Sequence, residues 1–240
     1  MEISSFTLVS IIVLSVSEVI SAYYAIKYRK LRKKVSSTET SRISDIVDGF
    51  HEIKGRVVAL DEPLLSPYDE KACVYYKFKV EEYKNNGKTD WWDGLIDDEK
   101  KQRFGINDGS GLAIIDLDGA NLELKSEDGF NPDVNTDMKS MSYSNRERLL
   151  KRYGVKSYDG RYERTVRYRE HVLGVGVFVH VMGEVKEKDE RRPVFQGQTL
   201  HVTDQSEEEL LELYTNKYAM ALGFMIGIPF IPFVFWLMAL

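Results

Sequence analysis

LLSPYDEKACVYYKFKVEEY, residues 64–83, decides how the rest of the chain is read. From 71 to 83 the side chains alternate, with Ala72, Val74, Tyr76, Phe78 and Val80 on one face and Cys73, Tyr75, Lys77 and Lys79 on the other. A period of two is the mark of a half-buried strand. Pro67 lies just upstream and Asn85-Asn86-Gly87-Lys88 just downstream. Proline fixes φ and removes a donor, and Asn-Gly tolerates positive φ, so turn chemistry bounds the strand at both ends. A long strand near the middle of a sheet is expected.

Working outward, 51–60 reads as the strand before it, with Val57-Val58 β-branched and Gly55 a possible bulge. A short helix is expected over 44–50. After Asn86-Gly87 a second hairpin arm carries Trp91 and Trp92, and 104–108 and 112–116 form a further hairpin closed by Asp108-Gly109-Ser110-Gly111. That loop is a turn. A nucleophile elbow would need glycine at Asp108 and Leu112, and a phosphate loop would need a Gly-Lys-Ser/Thr ending. Asp116-Leu117-Asp118-Gly119 is likewise a turn, because its glycine arrives too early for a calcium loop and the bidentate glutamate is missing. Residues 125–141 read as a polar surface excursion. Ser144 and Glu147 form a capping box, and Gly154 supplies the stop, for a helix over 145–153. Strands follow at 161–171, at 177–181 with a kink at Gly183, and at 194–202. Many short strands, frequent turns and one or two inserted helices predict a mainly β (α+β) domain, a small antiparallel β-barrel or sandwich with a single core.

The ends are different. Residues 3–28 are apolar enough to span, with Glu18 and Lys27 their only charges, and long enough for the ~20 residues a bilayer requires, and 218–240 carry no charge. A cleaved signal would need a positive leading segment, whereas Glu2 is the only charge before the apolar run. The expected organisation is a transmembrane helix at 4–27, a basic juxtamembrane segment and linker at 28–43, the β domain at 44–205, a helical connector at 206–217 and a second transmembrane helix at 218–240. Ser206 with Glu209 forms the capping box of that last helix. Lys27, Arg29, Lys30, Arg32, Lys33 and Lys34 follow the first span; by the positive-inside rule they place the domain in the cytoplasm and both termini outside. The same cluster suits anionic lipid headgroups.

Within the spans, Ser10, Ser17, Glu18 and Ser21 share a helix face. Glu18 has three readings: reaching a headgroup, packing against another helix, or lining an ion path. Gly223 and Gly227 form a small-xxx-small pair suited to helix packing or homo-oligomerisation, and Pro229 and Pro232 should kink the outer half.

Composition excludes several classes. The net charge is −5, and removing the +6 of the basic cluster leaves −11 on the remainder, which repels a phosphate backbone, so nucleic acid is not an expected partner. The single cysteine, Cys73, rules out an internal disulfide and reads as a small buried hydrophobe. His51, His171, His180 and His201 are scattered without metal-ligand spacing. No catalytic residue, metal or cofactor is expected. Trp91 and Trp92 must point to opposite faces of a strand, so one of them, Trp91 by its neighbours, is the candidate anchor for a protein partner.

Five segments carry a family resemblance: Gly55-Arg56-Val57-Val58, Leu65-Ser66-Pro67, Cys73-Val74-Tyr75-Tyr76, FGINDGSGLAIIDLDGA over 104–120, and Val181-Met182-Gly183-Glu184. Together they resemble the GIDE domain, over about 47–212. The domain occurs beside transmembrane helices in mitochondrial E3 ubiquitin ligases, where it faces the intermembrane space, and in prokaryotic membrane proteins. The resemblance implies a membrane-side β module for binding, scaffolding or sensing. In the ligases a RING zinc module follows the second span. With one cysteine in the sequence that module is expected to be absent here, so the chain would be no enzyme itself and would at most assist a ligase in trans.

Overall fold

The computed structural model describes residues 5–37, 39–124, 143–160, 162–189 and 192–238. The chain divides into two compact units, one of Met1–Thr38 with Ser206–Leu240, the other of Glu39–Gln205.

The Glu39–Gln205 unit contains thirteen strands among its described residues. In chain order they are β1 Gly49–Ala59, β2 Leu64–Leu65, β3 Ala72–Asn85, β4 Asp90–Lys101, β5 Phe104–Asn107, β6 Leu112–Ile115, β7 Asn121–Glu123, β8 Tyr158–Asp159, β9 Tyr162–Glu163, β10 Val166–Gly174, β11 Phe178–Asp189, β12 Arg192–Phe195 and β13 His201–Thr203. Strands β1, β5, β6, β12 and β11 pair in that order, and β11 pairs back onto β1 to close a five-stranded barrel, with β13 and β7 extending beyond β11. Closure turns on Gly55. At Arg56, β1 leaves β11 and takes up β5, and a Cβ at Gly55 would stand 2.6 Å from the carbonyl oxygen of Asn107. The glycine expected to mark a bulge instead marks a close approach of two backbones.

Barrel is thus the outcome of the barrel-or-sandwich alternative, with one departure: β6 pairs with β12, and β7 with β13, in parallel. The strand expected over 194–202 is two strands, because Gly197 at φ +87° turns the chain and Leu200 N donates to Gly197 O at 3.0 Å. The strand expected over 161–171 is likewise divided into β9 and β10.

The remaining long strands form a second sheet with β3 between β10 on one side and β4 and β2 on the other. This is the central strand predicted from 64–83, but it serves two cores, not one. Val74 and Tyr75 lie in the barrel core with Ile53, Phe104 and Val181, whereas Cys73, Tyr76, Phe78 and Val80 pack with Tyr168 and with Leu149 and Leu150. The register explains the swap. Leu173 faces Tyr75 and Gly174 faces Cys73, so Val74 is an extra residue, and the bulge turns two successive side chains to the same side. Leu149 and Leu150 belong to α2, Tyr143–Arg152, which covers the second core. Val155 N donates to Leu150 O at 2.9 Å past Gly154, whose φ is +70°, as expected of its stop. The side chain of the expected cap, Ser144, and residues 125–141 lie outside the described residues.

The segment read as a linker docks onto β1: Ser41 N donates to Glu52 O at 2.7 Å. In place of a helix over 44–50 there is one 3₁₀ turn, Ile43–Asp45. The Asp108 loop fixes it, with Ile43 N donating to Asp108 Oδ2 at 2.9 Å and Ser44 N to Ser110 Oγ at 3.2 Å.

The other unit is a pair of helices, α1 Ser5–Ser37 and α3 Glu207–Met238. The capping box is present, with Ser206 N donating to Glu209 Oε2 at 2.7 Å and Glu209 N to Ser206 Oγ at 3.2 Å. Tyr28 stacks on Tyr214, Lys217 lies 5.6 Å from the Tyr28 ring, and Arg32 lies 5.9 Å from Tyr218. Among the described residues no helix is long and apolar enough to cross a membrane. The two expected spans therefore have no support here.

Candidate functional site

The β3–β4 hairpin is shaped by its turn. Gly87 adopts φ +83°, Asn85 Oδ1 accepts from Gly87 N at 2.6 Å, and Asn86 Oδ1 accepts from Lys88 N and Thr89 N at 3.0 and 2.9 Å. Side chains of this kind satisfy the backbone of a tight turn. The turn sets a register in which Trp92 faces Tyr83 and Trp91 faces Lys84.

The two tryptophans consequently differ. Trp92 is half-buried, edge-on to Tyr83 with centroids 5.6 Å apart, and the Arg167 guanidinium lies 4.2 Å from its ring centre. Arg167 comes from β10 and is itself held by Glu81, its Nε donating to Oε2 at 2.7 Å. Trp91 is 45% exposed. On its face Glu82 is buried and accepts from Arg164, with Lys84 Nζ 2.9 Å away.

The face that carries Trp92 continues as a charge ladder: Lys77 to Glu99 at 2.8 Å, Lys79 to Asp97 at 2.8 Å, and Glu81 to Arg167 and Arg169. The hydrogen bond from Arg167, helped by the charges of Arg169 and Lys79, outweighs burial and holds the Glu81 carboxyl below the usual carboxylate range. Burial first, then Lys77 and Arg169, push His171 below its ordinary value. On the opposite face Asp98 Oδ2 accepts from Tyr76 at 2.9 Å and from Tyr153 at 2.7 Å. Burial, and then those bonds, push both phenols above their ordinary value. These groups are paired acids and bases. They can present a surface; they are not arranged as a nucleophile with its base.

The other singled-out residues fall elsewhere. Lys27, Arg29, Lys30, Arg32 and Lys33 are exposed and Lys34 is half-buried. Glu18 is exposed, Ser17 Oγ donates back to Leu14 O at 2.7 Å, and Ser21 lines an apolar groove with Ile20, Tyr24 and Ala221, so these side chains do not share one lining. A Cβ at Gly223 or Gly227 would meet nothing within 4 Å among the described residues; the helix pair instead buries the small residues Ala25 and Ala221. Cys73 is buried, its Sγ 3.6 Å from Leu64 O. His51 bonds Ser41 and Val47 O, and His180 lies 3.7 Å from Glu52. Arg167, Glu81 and Tyr83 escaped the sequence reading, because Arg167 lies 75 positions from Trp92 and only the β10–β3 register brings them together.

The fold is a small closed β-barrel extended by a sheet whose long hairpin carries an exposed tryptophan. The chain belongs to the GIDE family: the family's model, described as E3 ubiquitin ligase, matches residues 75–234, two-thirds of its length. The match takes in most of the hairpin, of the barrel and of α3. It begins inside β3, so the motifs at Gly55-Val58 and Leu65-Pro67 precede it. Neither a curated protein nor a solved structure matches the chain.

Proposed function

We propose that the chain is a membrane-anchored binding or scaffolding module that recruits a protein partner through the end of the β3–β4 hairpin. The observation that carries the reading is the asymmetry of the tryptophan pair: Trp92 is pinned between Tyr83 and Arg167, and Trp91 is left 45% exposed beside Asp90 and Asp93. Tryptophan is among the residues enriched at interface hot spots. The membrane part rests on the sequence, on the uncharged run 218–240 and on the basic cluster after the first apolar run. The domain then lies on the cytoplasmic side, with both termini external and the cluster against lipid headgroups.

The test is a photo-crosslinking amino acid placed at Trp91, and separately at exposed Leu65 as control, in the full chain in its native membranes. A defined adduct at 91 and none at 65 supports the reading; equal labelling at both sites sinks it. Carbonate extraction that releases the chain would refute the membrane anchor, and external labelling of a cysteine placed at Asn135 would reverse the topology.

A second reading, favoured by the family's description, is an accessory role to an E3 ubiquitin ligase acting in trans. In that case the adduct at Trp91 contains a ligase or a ubiquitin-loaded enzyme, identified by mass spectrometry.

A further inference from the structure

The helix pair carries an apolar groove of about 280 Å³. Its floor is made of small side chains, buried Ala221 and half-buried Ser21, and its walls are the exposed Ile20, Tyr24, Met220 and Phe224. At ~1.5 Å per residue, the stretch of α3 from Lys217 to Phe224 runs about 10 Å. One leaflet contributes ~15 Å to a hydrocarbon core of ~30 Å. The length therefore fits part of one acyl chain.

Charge is confined to one end of the groove. There Tyr24 stacks on Tyr28 and Tyr28 on Tyr214, with ring centroids 5.9 and 6.4 Å apart. Lys217 Nζ lies 5.6 Å from the Tyr28 ring centre and 6.0 Å from that of Tyr214, and Lys27 Nζ lies 6.0 Å from that of Tyr24. Two ammonium groups thus flank the tyrosine stack. Among the described residues neither Glu18 nor any other carboxylate lines the groove, and from Leu213 to Leu240 Lys217 is the only charged residue. Lysine and tyrosine hold their polar tips at the level of lipid headgroups and their apolar bodies below it. Toward the other end the groove gives way to exposed Val16, Val19 and Ile226.

The gradient selects the occupant. A soluble anion would leave the apolar walls in water, and an apolar helix would supply no anion at the lysine end. One molecule that joins an anionic head to an apolar chain satisfies both ends. We propose that the groove between α1 and α3 binds one acyl chain of an anionic glycerophospholipid, with its phosphate at Lys217 and Lys27. This rests on the reading of the chain as membrane-anchored, and it adds one lipid held at a defined place to the diffuse headgroup contact of the basic cluster.

The test reconstitutes the full chain in phosphatidylcholine vesicles with a trace of lipid bearing a diazirine on its acyl chain, either phosphatidylglycerol or phosphatidylcholine. Adducts are mapped by mass spectrometry. With the phosphatidylglycerol probe, Met220 and Phe224 in the groove should carry at least three times the adduct of Val19 and Ile226, which are comparably exposed outside it. The phosphatidylcholine probe should label all four alike. Lys217→Gln should remove the excess in the groove and leave Val19 and Ile226 unchanged, and Lys217→Arg should keep it. Equal labelling inside and outside by both probes means lipid as bulk solvent only, which overturns the site while the anchor stands. An excess with both probes, or one that survives Lys217→Gln, overturns the headgroup contact and the proposal with it. A disulfide-linked dimer of Met220→Cys on oxidation in the same vesicles assigns the groove to a second copy and overturns it as well. No adduct at any of the four residues overturns it too; release of the chain by carbonate then shows that the membrane reading has failed with it, and retention shows that only the groove has failed.

Discussion

Replacing Phe78 with alanine tests whether β3 joins two cores into one folding unit. Phe78 is fully buried, with Tyr153 and Tyr168 ring centroids 5.8 and 6.1 Å away. Burying an aromatic side chain removes ~150–250 Å² from water, worth ~4–6 kcal/mol at ~25 cal/mol per Å². Ring pairs of this geometry add about 0.5–1.5 kcal/mol each. Alanine keeps a methyl and the neighbours close part of the gap, so the expected cost is about 3–5 kcal/mol, as for other buried aromatic truncations. That is a large fraction of the ~5–15 kcal/mol a domain has in total. The assay is denaturant unfolding of the full chain, followed by tryptophan fluorescence and by exchange of barrel amides, with Phe104→Ala in the barrel core as comparison. If the cores unfold together, both variants lower one shared midpoint by similar amounts. A cost below about 1 kcal/mol for Phe78→Ala, or loss of the second core with the barrel midpoint unmoved, refutes the coupling.

Three further outcomes are expected. Gly55→Ala puts a Cβ 2.6 Å from the Asn107 carbonyl, and because that atom is backbone the barrel seam must open, costing about 1–3 kcal/mol in the same unfolding assay. Asp108→Ala removes the acceptor for Ile43, Ser110 and Gly111 amides, a loss of about 1–2 kcal/mol after allowance for solvent at this half-exposed group, seen as faster exchange at Ile43. Burial opposes ionisation of Asp108, yet those bonds win and hold its carboxyl below the ordinary 3.8. Its stabilisation is therefore complete above that value and is lost as pH falls through the lower folded value, so Asp108→Asn should lack that acid step. Trp92→Ala, which loses the Arg167 and Tyr83 contacts, should cost about 1–2 kcal/mol in stability, whereas Trp91→Ala should leave the midpoint within about 0.5 kcal/mol and abolish the membrane adduct of a second photo-crosslinking residue placed at Asp93.

What was legible in the sequence was local. The 71–83 alternation, the Asn86-Gly87 turn, the Gly154 stop and the Ser206–Glu209 cap each depend on neighbours within a few residues. What was not legible depends on distant partners. Strict alternation assigns Val74 and Tyr76 to one core, and only the register against Leu173 and Gly174 reveals the bulge that sends them to different ones. Barrel closure is invisible for the same reason, since β1 meets β11 across more than a hundred residues, and the parallel pairing of β6 with β12 carries no turn signal. At the candidate site the tryptophan pair stood out by composition alone. The ring that is pinned could be told from the ring that is free only once β10 laid Arg167 over Trp92.

The bulge that misled the alternation is also what makes the hairpin a stiff presenter. The first residues of β3 are fixed in the barrel by Val74 and Tyr75, the middle is fixed in the second core by Tyr76, Phe78 and Val80, and the strand then carries on unbroken to Asn85. Its end is tied sideways by Glu81 to Arg167 and by Glu82 to Arg164, both reaching across from the β9–β10 side. Binding costs free energy for every side chain and loop that must be ordered, so a hairpin held at three levels before the partner arrives loses less on docking. Weakening the far anchor, for instance at Val74 inside the barrel, should therefore lower partner affinity at Trp91 without touching any residue of the interface. Measuring that loss in chains that still fold separates a preorganised hairpin from one that orders only on contact.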